Sequence, residues 1–255
     1  MSTLEHERTP TEQLARLREI VQRVWGYSEL RPLQAEAMLA ALAGRDALVV
    51  LATGGGKSLC YQAPALLREG LTCVISPLIS LMQDQLAGLL ESGVDAAMLS
   101  SAQDGREKRA VYERLGRGGV KLLFVAPERL VQPGFLDELA QFGLSSLVVD
   151  EAHCISHWGH DFRPEYRRIG ELRAARPEVP IHAFTATATP QVRRDIAAQL
   201  GLVEPLEFVG NSLVVGPDGG VRAEGHGEDG LVIAELELEE LRSLRRAVPV
   251  RRDER

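Results

Sequence analysis

Ala47-Leu48-Val49-Val50-Leu51-Ala52-Thr53-Gly54-Gly55-Gly56-Lys57-Ser58-Leu59-Cys60-Tyr61 runs from an unbroken apolar stretch, through three glycines, into residues with helical spacing. Residues 47–51 read as a strand buried on both faces, and residues 57–67 as a helix. A strand led by glycines directly into a helix start gathers several backbone N–H groups at one point. The helix dipole adds partial positive charge there, so phosphate oxygens are favoured. Lys57 is one of only three lysines, with Lys108 and Lys121, in a chain rich in arginine, so a compact ammonium reads as a requirement at this position. Thr53, Gly54, Gly55, Gly56, Lys57 and Ser58 then form a phosphate cradle. Lys57 reaches the β/γ-phosphates of a nucleoside triphosphate and the Ser58 hydroxyl ligates Mg²⁺. Leu51 and Ala52 stand where the usual pattern has its first glycine, and a plain flexible turn is the alternative reading of the loop.

The same rhythm continues downstream. Residues 71–75, 96–99, 120–125, 144–149 and 181–185 read as strands, with helices at 80–91, 103–115, 134–142, 163–173 and 190–200 between or after them. Strand and helix in alternation predict an α/β fold: a parallel sheet with helices on both faces. Two amphipathic helices, 11–24 and 32–43, precede it.

A second chemical signal closes the strand at 144–149. Asp150-Glu151-Ala152-His153 follows Leu147-Val148-Val149, which puts two carboxylates at the sheet edge that faces the glycine loop. Asp150 joins Ser58 as a Mg²⁺ ligand, Glu151 orients and deprotonates the attacking water, and His153 is a further catalytic candidate. Capping acids at a helix start read the same four residues without chemistry.

Composition sets the frame. The chain has 255 residues, 45% of them hydrophobic and 25% charged, which supports one sizeable core with or without an appendage. There is no apolar run long enough for a bilayer and no apolar leader after Met1, so a cytoplasmic protein with no membrane partner is expected. Cys60, Cys73 and Cys154 form neither a disulfide framework nor a zinc spacing. The net charge of −7 is uneven: residues 204–240 carry ten acids against Arg222, and residues 241–255 carry six arginines against two acids. The body is close to neutral, so a nucleic acid would be held by local loops.

Ordered stretches along residues 25–202 resemble the first motor lobe of RecQ-type DNA helicases. They are Gly26-Tyr27, Leu30-Arg31-Pro32 with Gln34, the glycine loop, Val74 to Met82 with Asp84-Gln85, Asp150 to His153, Val125-Ala126-Pro127-Glu128-Arg129-Leu130 and Phe184-Thr185-Ala186-Thr187-Ala188. The resemblance implies a RecA-like (P-loop NTPase) fold and an ATP-dependent 3′-to-5′ helicase acting on single-stranded or forked DNA. It assigns Arg31 and Gln34 to the adenine, and Thr185 and Thr187 to linking the nucleotide with the DNA side. Ser76-Pro77, Ser80, Gln83, Gln85 and Pro127-Glu128-Arg129 would line the strand's backbone path. Cys154-Ile155-Ser156-His157-Trp158-Gly159-His160-Asp161-Phe162-Arg163 is similar to the aromatic-rich loop by which such enzymes sense single strands. Trp158 and Phe162 offer stacking faces, and Arg163 a cation. The family most often has Gln at position 157. His157 is titratable, which predicts modest pH dependence of DNA-stimulated hydrolysis between about pH 6 and 8.

Residues 1–203 thus read as a helicase ATP-binding lobe. Residues 204–255 read as an appended hairpin and helix, with strands at 212–215, 221–223 and 231–236, a turn at 216–220 and a helix at 239–246, similar to the C-terminal end of nitrilase-type carbon–nitrogen hydrolases. No Glu-Lys-Cys set falls there, which argues against amidase chemistry. The resemblance implies a second helicase lobe, supplied in trans if at all, and weak ATPase activity without it; a non-catalytic ATP- and DNA-binding module is the alternative.

Overall fold

The computed structural model describes residues 9–130, 132, 134–158, 161–202, 206–209, 212–215 and 221–225. The chain divides into two compact units, Met1–Phe208 and Val209–Arg255. In the first unit α1 (Pro10–Trp25) starts at a Thr9 cap whose hydroxyl accepts from the Glu12 N–H while the Glu12 carboxylate accepts from the Thr9 N–H. It ends at Gly26 with φ +75°. Then follow α2 (Gln34–Leu42), β1 (Ala47–Val50), α3 (Lys57–Leu67), β2 (Leu71–Ile75), α4 (Ile79–Glu91), β3 (Ala96–Leu99), α5 (Gly105–Gly116), β4 (Leu122–Val125), α6 (Phe135–Gln141) and β5 (Leu144–Val149). The series closes with α7 (Ile169–Ala175), β6 (Ile181–Thr185), α8 (Pro190–Leu200) and β7 (Leu206–Val209).

The strands form one sheet in the order β3-β4-β2-β5-β6-β1-β7. The pairings of β1 with β6, β2 with β4 and β5, β3 with β4, and β5 with β6 are all parallel. Side chains alternate between the two faces. On one face Leu48, Cys73, Ile75, Leu147, Val149 and Ala183 pack with residues of α5, α6, α7 and α8. On the other, Val49, Val74, Val148 and Phe184 pack with residues of α2, α3 and α4. The continuous apolar runs of the sequence are therefore those of strands covered on both sides, and the expected α/β sheet with two helical layers is the one observed. Helix α1 lies outside this sandwich, where Leu17, Ile20 and Val21 cluster with Met38, Leu59 and Ala63.

Two elements differ from the sequence reading. The expected helix at 163–173 is a 3-10 turn, Pro164–Arg168, followed by the shorter α7. The sheet also gains β7 at its edge beside β1, in residues the sequence reading left without a strand. In the second unit β8 (Ser212–Val215) and β9 (Val221–Gly225) pair antiparallel, as a hairpin requires. The expected strand at 231–236, the helix at 239–246, the turn at 216–220, and Gly159 and His160 of the aromatic stretch lie outside the described residues. Among the described residues no helix is long and apolar enough to cross a membrane.

Candidate functional site

Because β1, β5 and β6 run parallel and adjacent, the residues that follow them emerge along one sheet edge. Leu51 continues the pairing beyond β1, its N–H donating to the Thr185 carbonyl at 3.1 Å. The chain then turns through Gly54 (φ +81°) and Gly56 (φ +77°) into α3. Beside this turn lies a cleft of about 470 Å³. Arg31, Gln34, Thr53, Gly54, Gly56, Lys57 and Ser58 line it from one side, and Asp150 and Glu151 from the end of β5. The two signals that lie about a hundred residues apart in the chain thus share one cavity.

The loop is held by the two residues expected at the adenine. Gln34 is buried; its Nε2 donates to the carbonyls of Gly55 (3.2 Å) and Gly56 (3.3 Å), and its Oε1 accepts from the Arg31 N–H at 2.8 Å. Arg31 donates to the Gly54 carbonyl. Lys57 turns back, its Nζ donating to the Leu51 carbonyl at 3.1 Å. These bonds fix the cradle's shape, to which the Gly55 N–H adds by donating to the Ala52 carbonyl at 2.9 Å.

Across the cleft, burial is the main cause that pushes the Asp150 carboxyl up to about 6, with the Glu151 charge adding to it and Lys57 opposing it. Asp150 accepts from the Ser76 hydroxyl at 3.4 Å and from the Glu151 N–H at 3.0 Å. Glu151 sits in the left-handed region at φ 48°, ψ 47°, a conformation costly for a side chain of its size and found mainly at functional sites. His153 Nδ1 lies 3.2 Å from Glu151 Oε2 and 3.0 Å from Thr185 Oγ1, and the Thr185 hydroxyl donates to the Thr187 carbonyl at 3.2 Å. A chain of polar contacts therefore leads from Glu151 through His153 and Thr185 to the segment before α8. Thr187 joins it by its carbonyl, and its side chain is exposed.

The Ser58 hydroxyl and the Asp150 carboxylate, which line the same cleft, are oxygen donors suited to a hard divalent cation. Among the described residues there is no cluster of three or more His, Cys, Asp or Glu that would form a complete protein cage. Mg²⁺ fits such a site, because it keeps several waters and binds through one or two carboxylates together with phosphates.

The aromatic stretch stands apart from the cleft. Trp158 is 68% exposed, a bare ring on the surface. Phe162 does not match it: it is half-buried, its ring centroid 3.9 Å from that of His157, with the Arg167 guanidinium 5.3 Å away. Of the two rings expected to stack, Trp158 is thus the more exposed and Phe162 is partly covered. Arg163 pairs with Asp161 at 3.1 Å and donates to the Pro77 carbonyl at 3.2 Å, which ties the stretch to the segment after β2.

Two other expectations change. Ser76 is buried with its hydroxyl on Asp150, so its side chain supports the carboxylate rather than a strand's backbone. Arg129 is also buried, bonded to Tyr112 and Gln132 and set 4.9 Å over the Phe135 ring. Sequence reasoning missed Tyr166, whose buried hydroxyl donates to the Asp150 carbonyl at 3.1 Å, and Tyr61, whose hydroxyl donates to Gln85 at 2.7 Å on the cleft wall. It also missed Trp25 as part of that wall. Their partners are distant in sequence, and only the apolar-tryptophan end of α1 offered any local signal.

Residues 31–196 match the model of the DEAD/DEAH box helicase family. The chain is 46% identical over 210 residues to the ATP-dependent DNA helicase RecQ of Pasteurella multocida, covering 82% of this chain and 33% of that protein. It is 44% identical over 206 residues to the ATP-dependent DNA helicase Q5 of Rattus norvegicus, covering 78% and 21%. It spans a third or less of the length of these two relatives. Among solved structures, the Hef helicase domain of Pyrococcus furiosus superimposes with a TM-score of 0.53 at 20% identity, covering 76% of this chain and 40% of that one. A hypothetical ATP-dependent RNA helicase from Sulfolobus tokodaii gives 0.58 at 15%, covering 77% and 57%. At such identities the structural likeness shows the fold, which is that of RecA-like helicase domains.

Proposed function

Since the chain belongs to the DEAD/DEAH box helicase family, we propose that it is the ATP-binding, strand-sensing lobe of a RecQ-type, 3′-to-5′ DNA helicase. One observation carries the reading: Lys57 and the Asp150-Glu151 pair line the same cleft. In that reading the phosphates of ATP enter the glycine cradle, and Lys57 leaves the Leu51 carbonyl to meet them. Arg31 and Gln34, on the cleft wall, border the base. Ser58 and Asp150 would hold Mg²⁺, which supplies charge neutralisation at the phosphates. Glu151 orients the attacking water and takes its proton, with His153 holding that carboxylate in place. Trp158 stacks on bases of single-stranded or forked DNA. The chain alone turns ATP over slowly, because a second lobe, joined or in trans, is needed to close the cleft. The segment at 204–255 is a passenger with no part in the chemistry, and its resemblance to a carbon–nitrogen hydrolase terminus brings no amidase activity. A cytoplasmic location belongs to the same reading.

ATP binding and hydrolysis of the parent, Lys57→Ala and Glu151→Gln test it. Lys57→Ala should weaken binding and lower turnover by about 100-fold or more, as loss of one preorganised charge contact does. Glu151→Gln should keep binding and lose turnover by about 100-fold, as loss of a general base does. Equal nucleotide affinity in parent and Lys57→Ala would rule the reading out.

A further inference from the structure

The aromatic stretch is fastened to the lobe by a contact that none of the sequence motifs contains. Ser156 is fully buried; its hydroxyl donates to Asp195 Oδ2 at 2.6 Å, and its Oγ accepts from the Trp158 N–H at 3.2 Å. Both polar capacities of one hydroxyl are therefore used, one toward α8 and one toward the exposed tryptophan. Asp195 is itself steadied one turn further along α8, where Gln199 Nε2 donates to its Oδ1 at 3.4 Å.

The position of α8 gives this contact meaning. The helix begins at Pro190, capped by the Thr189 hydroxyl, only five residues after Thr185, which meets His153 of the nucleotide side. The same short stretch of chain thus touches the Asp150–His153 segment at one end and, at the other, holds Ser156, which in turn accepts from the Trp158 N–H. A 2.6 Å O–H···O bond to a carboxylate is charge-assisted, shorter and stronger than a neutral one.

We propose that Asp195 is a positioning residue: through Ser156 it sets where the Trp158 ring stands relative to the β6–α8 junction, so that a strand stacked on Trp158 pulls on α8. The strand-binding part of this rests on the proposed role of Trp158; the anchoring itself does not. Removing the carboxylate leaves the buried Ser156 hydroxyl without its acceptor and releases the turn that carries Trp158.

Trp25 and Trp158 are the two tryptophans. In the full chain with Trp25→Phe, emission therefore reports on Trp158 alone. Asp195→Ala and Ser156→Ala should each raise the acrylamide quenching constant of Trp158 by roughly twofold and lower its anisotropy, as loss of a buried hydrogen bond frees the loop. Asp195→Asn, whose amide oxygen still accepts from Ser156, should restore most of both values, a rescue that a general loss of packing does not give. Unchanged quenching and anisotropy in Ser156→Ala and Asp195→Ala would overturn the proposal, as would an Asn variant no better than Ala. Titration with oligothymidylate supplies the second arm. The parent should respond, and Asp195→Ala should need at least about fivefold more oligonucleotide for half-saturation, within the worth of one stacked base. A parent that ignores oligothymidylate, with quenching still changed by Asp195→Ala, would remove Trp158 as a DNA contact and leave the anchoring established.

Discussion

Gly56 shows how closely the cradle is built around single atoms. Its φ of +77° is a conformation that side chains rarely adopt, and a Cβ there would run into Gln34 Nε2, the group that holds the Gly55 and Gly56 carbonyls. Gly54 has a similar φ of +81°, but a Cβ there meets nothing within 4 Å. The pair separates backbone strain from the clash. Gly54→Ala bears strain alone, while Gly56→Ala also expels Gln34 from the loop. Strain of this kind costs about 1–3 kcal/mol, so each variant should weaken ATP binding, and Gly56→Ala by about tenfold more than Gly54→Ala. Calorimetric titration decides it; equal affinities for the two variants would mean that Gln34 does not shape the nucleotide site. The glycines and Lys57 were legible in the sequence because the cradle is contiguous along the chain. Ser76 was not, because its partner Asp150 lies 74 residues away and only the pairing of β2 with β5 brings the two together.

At the scale of the element, β6 carries a polar group in the middle of the sheet. His182 is 1% exposed, and neither ring nitrogen has a hydrogen-bond partner. Burial first, then the charges of Arg68 and Arg173, with Asp46 opposing, lower its pKa to about 4. The folded protein therefore keeps His182 neutral down to about pH 4, while the unfolded chain takes up its proton near the ordinary 6.5. Below pH 6.5 the unfolded state binds more protons, so stability falls as the pH drops, by a total of about 3 kcal/mol at pH 4 from this residue. Asp150, raised to about 6, works in the opposite direction over part of the same window, so the net curve mixes the two. The difference between parent and His182→Leu isolates the histidine: denaturant unfolding at pH 7 and pH 4.5 should show a smaller loss in the variant. The same loss in both proteins would refute the assignment. The strands themselves were legible because burial on both faces leaves a continuous apolar run. The turn at Pro164–Arg168 was not, since Tyr166 reaches back sixteen residues to the Asp150 carbonyl, and that tertiary contact has no helical period.

For the whole molecule, the two compact units are Met1–Phe208 and Val209–Arg255. Every residue that lines the cleft lies in Met1–Phe208, as do Ser156, Trp158 and Asp195. In the sequence the βαβ rhythm stops near residue 201 and the acidic stretch begins at 204. The sequence bears no sign of β7, because nothing local in Leu206-Glu207-Phe208-Val209 tells which sheet it joins. A unit with its own core and all of its site residues should fold and bind without the rest. A chain ending at Gly210 keeps β7 and should bind ATP within about twofold of the full chain, a difference of about 0.4 kcal/mol. It should also unfold cooperatively, with the same dependence of stability on His182. A loss of affinity of tenfold or more would show that the segment beyond 210 contributes to the nucleotide site, with the six arginines of 241–255 as the first residues to replace. It would then be no passenger.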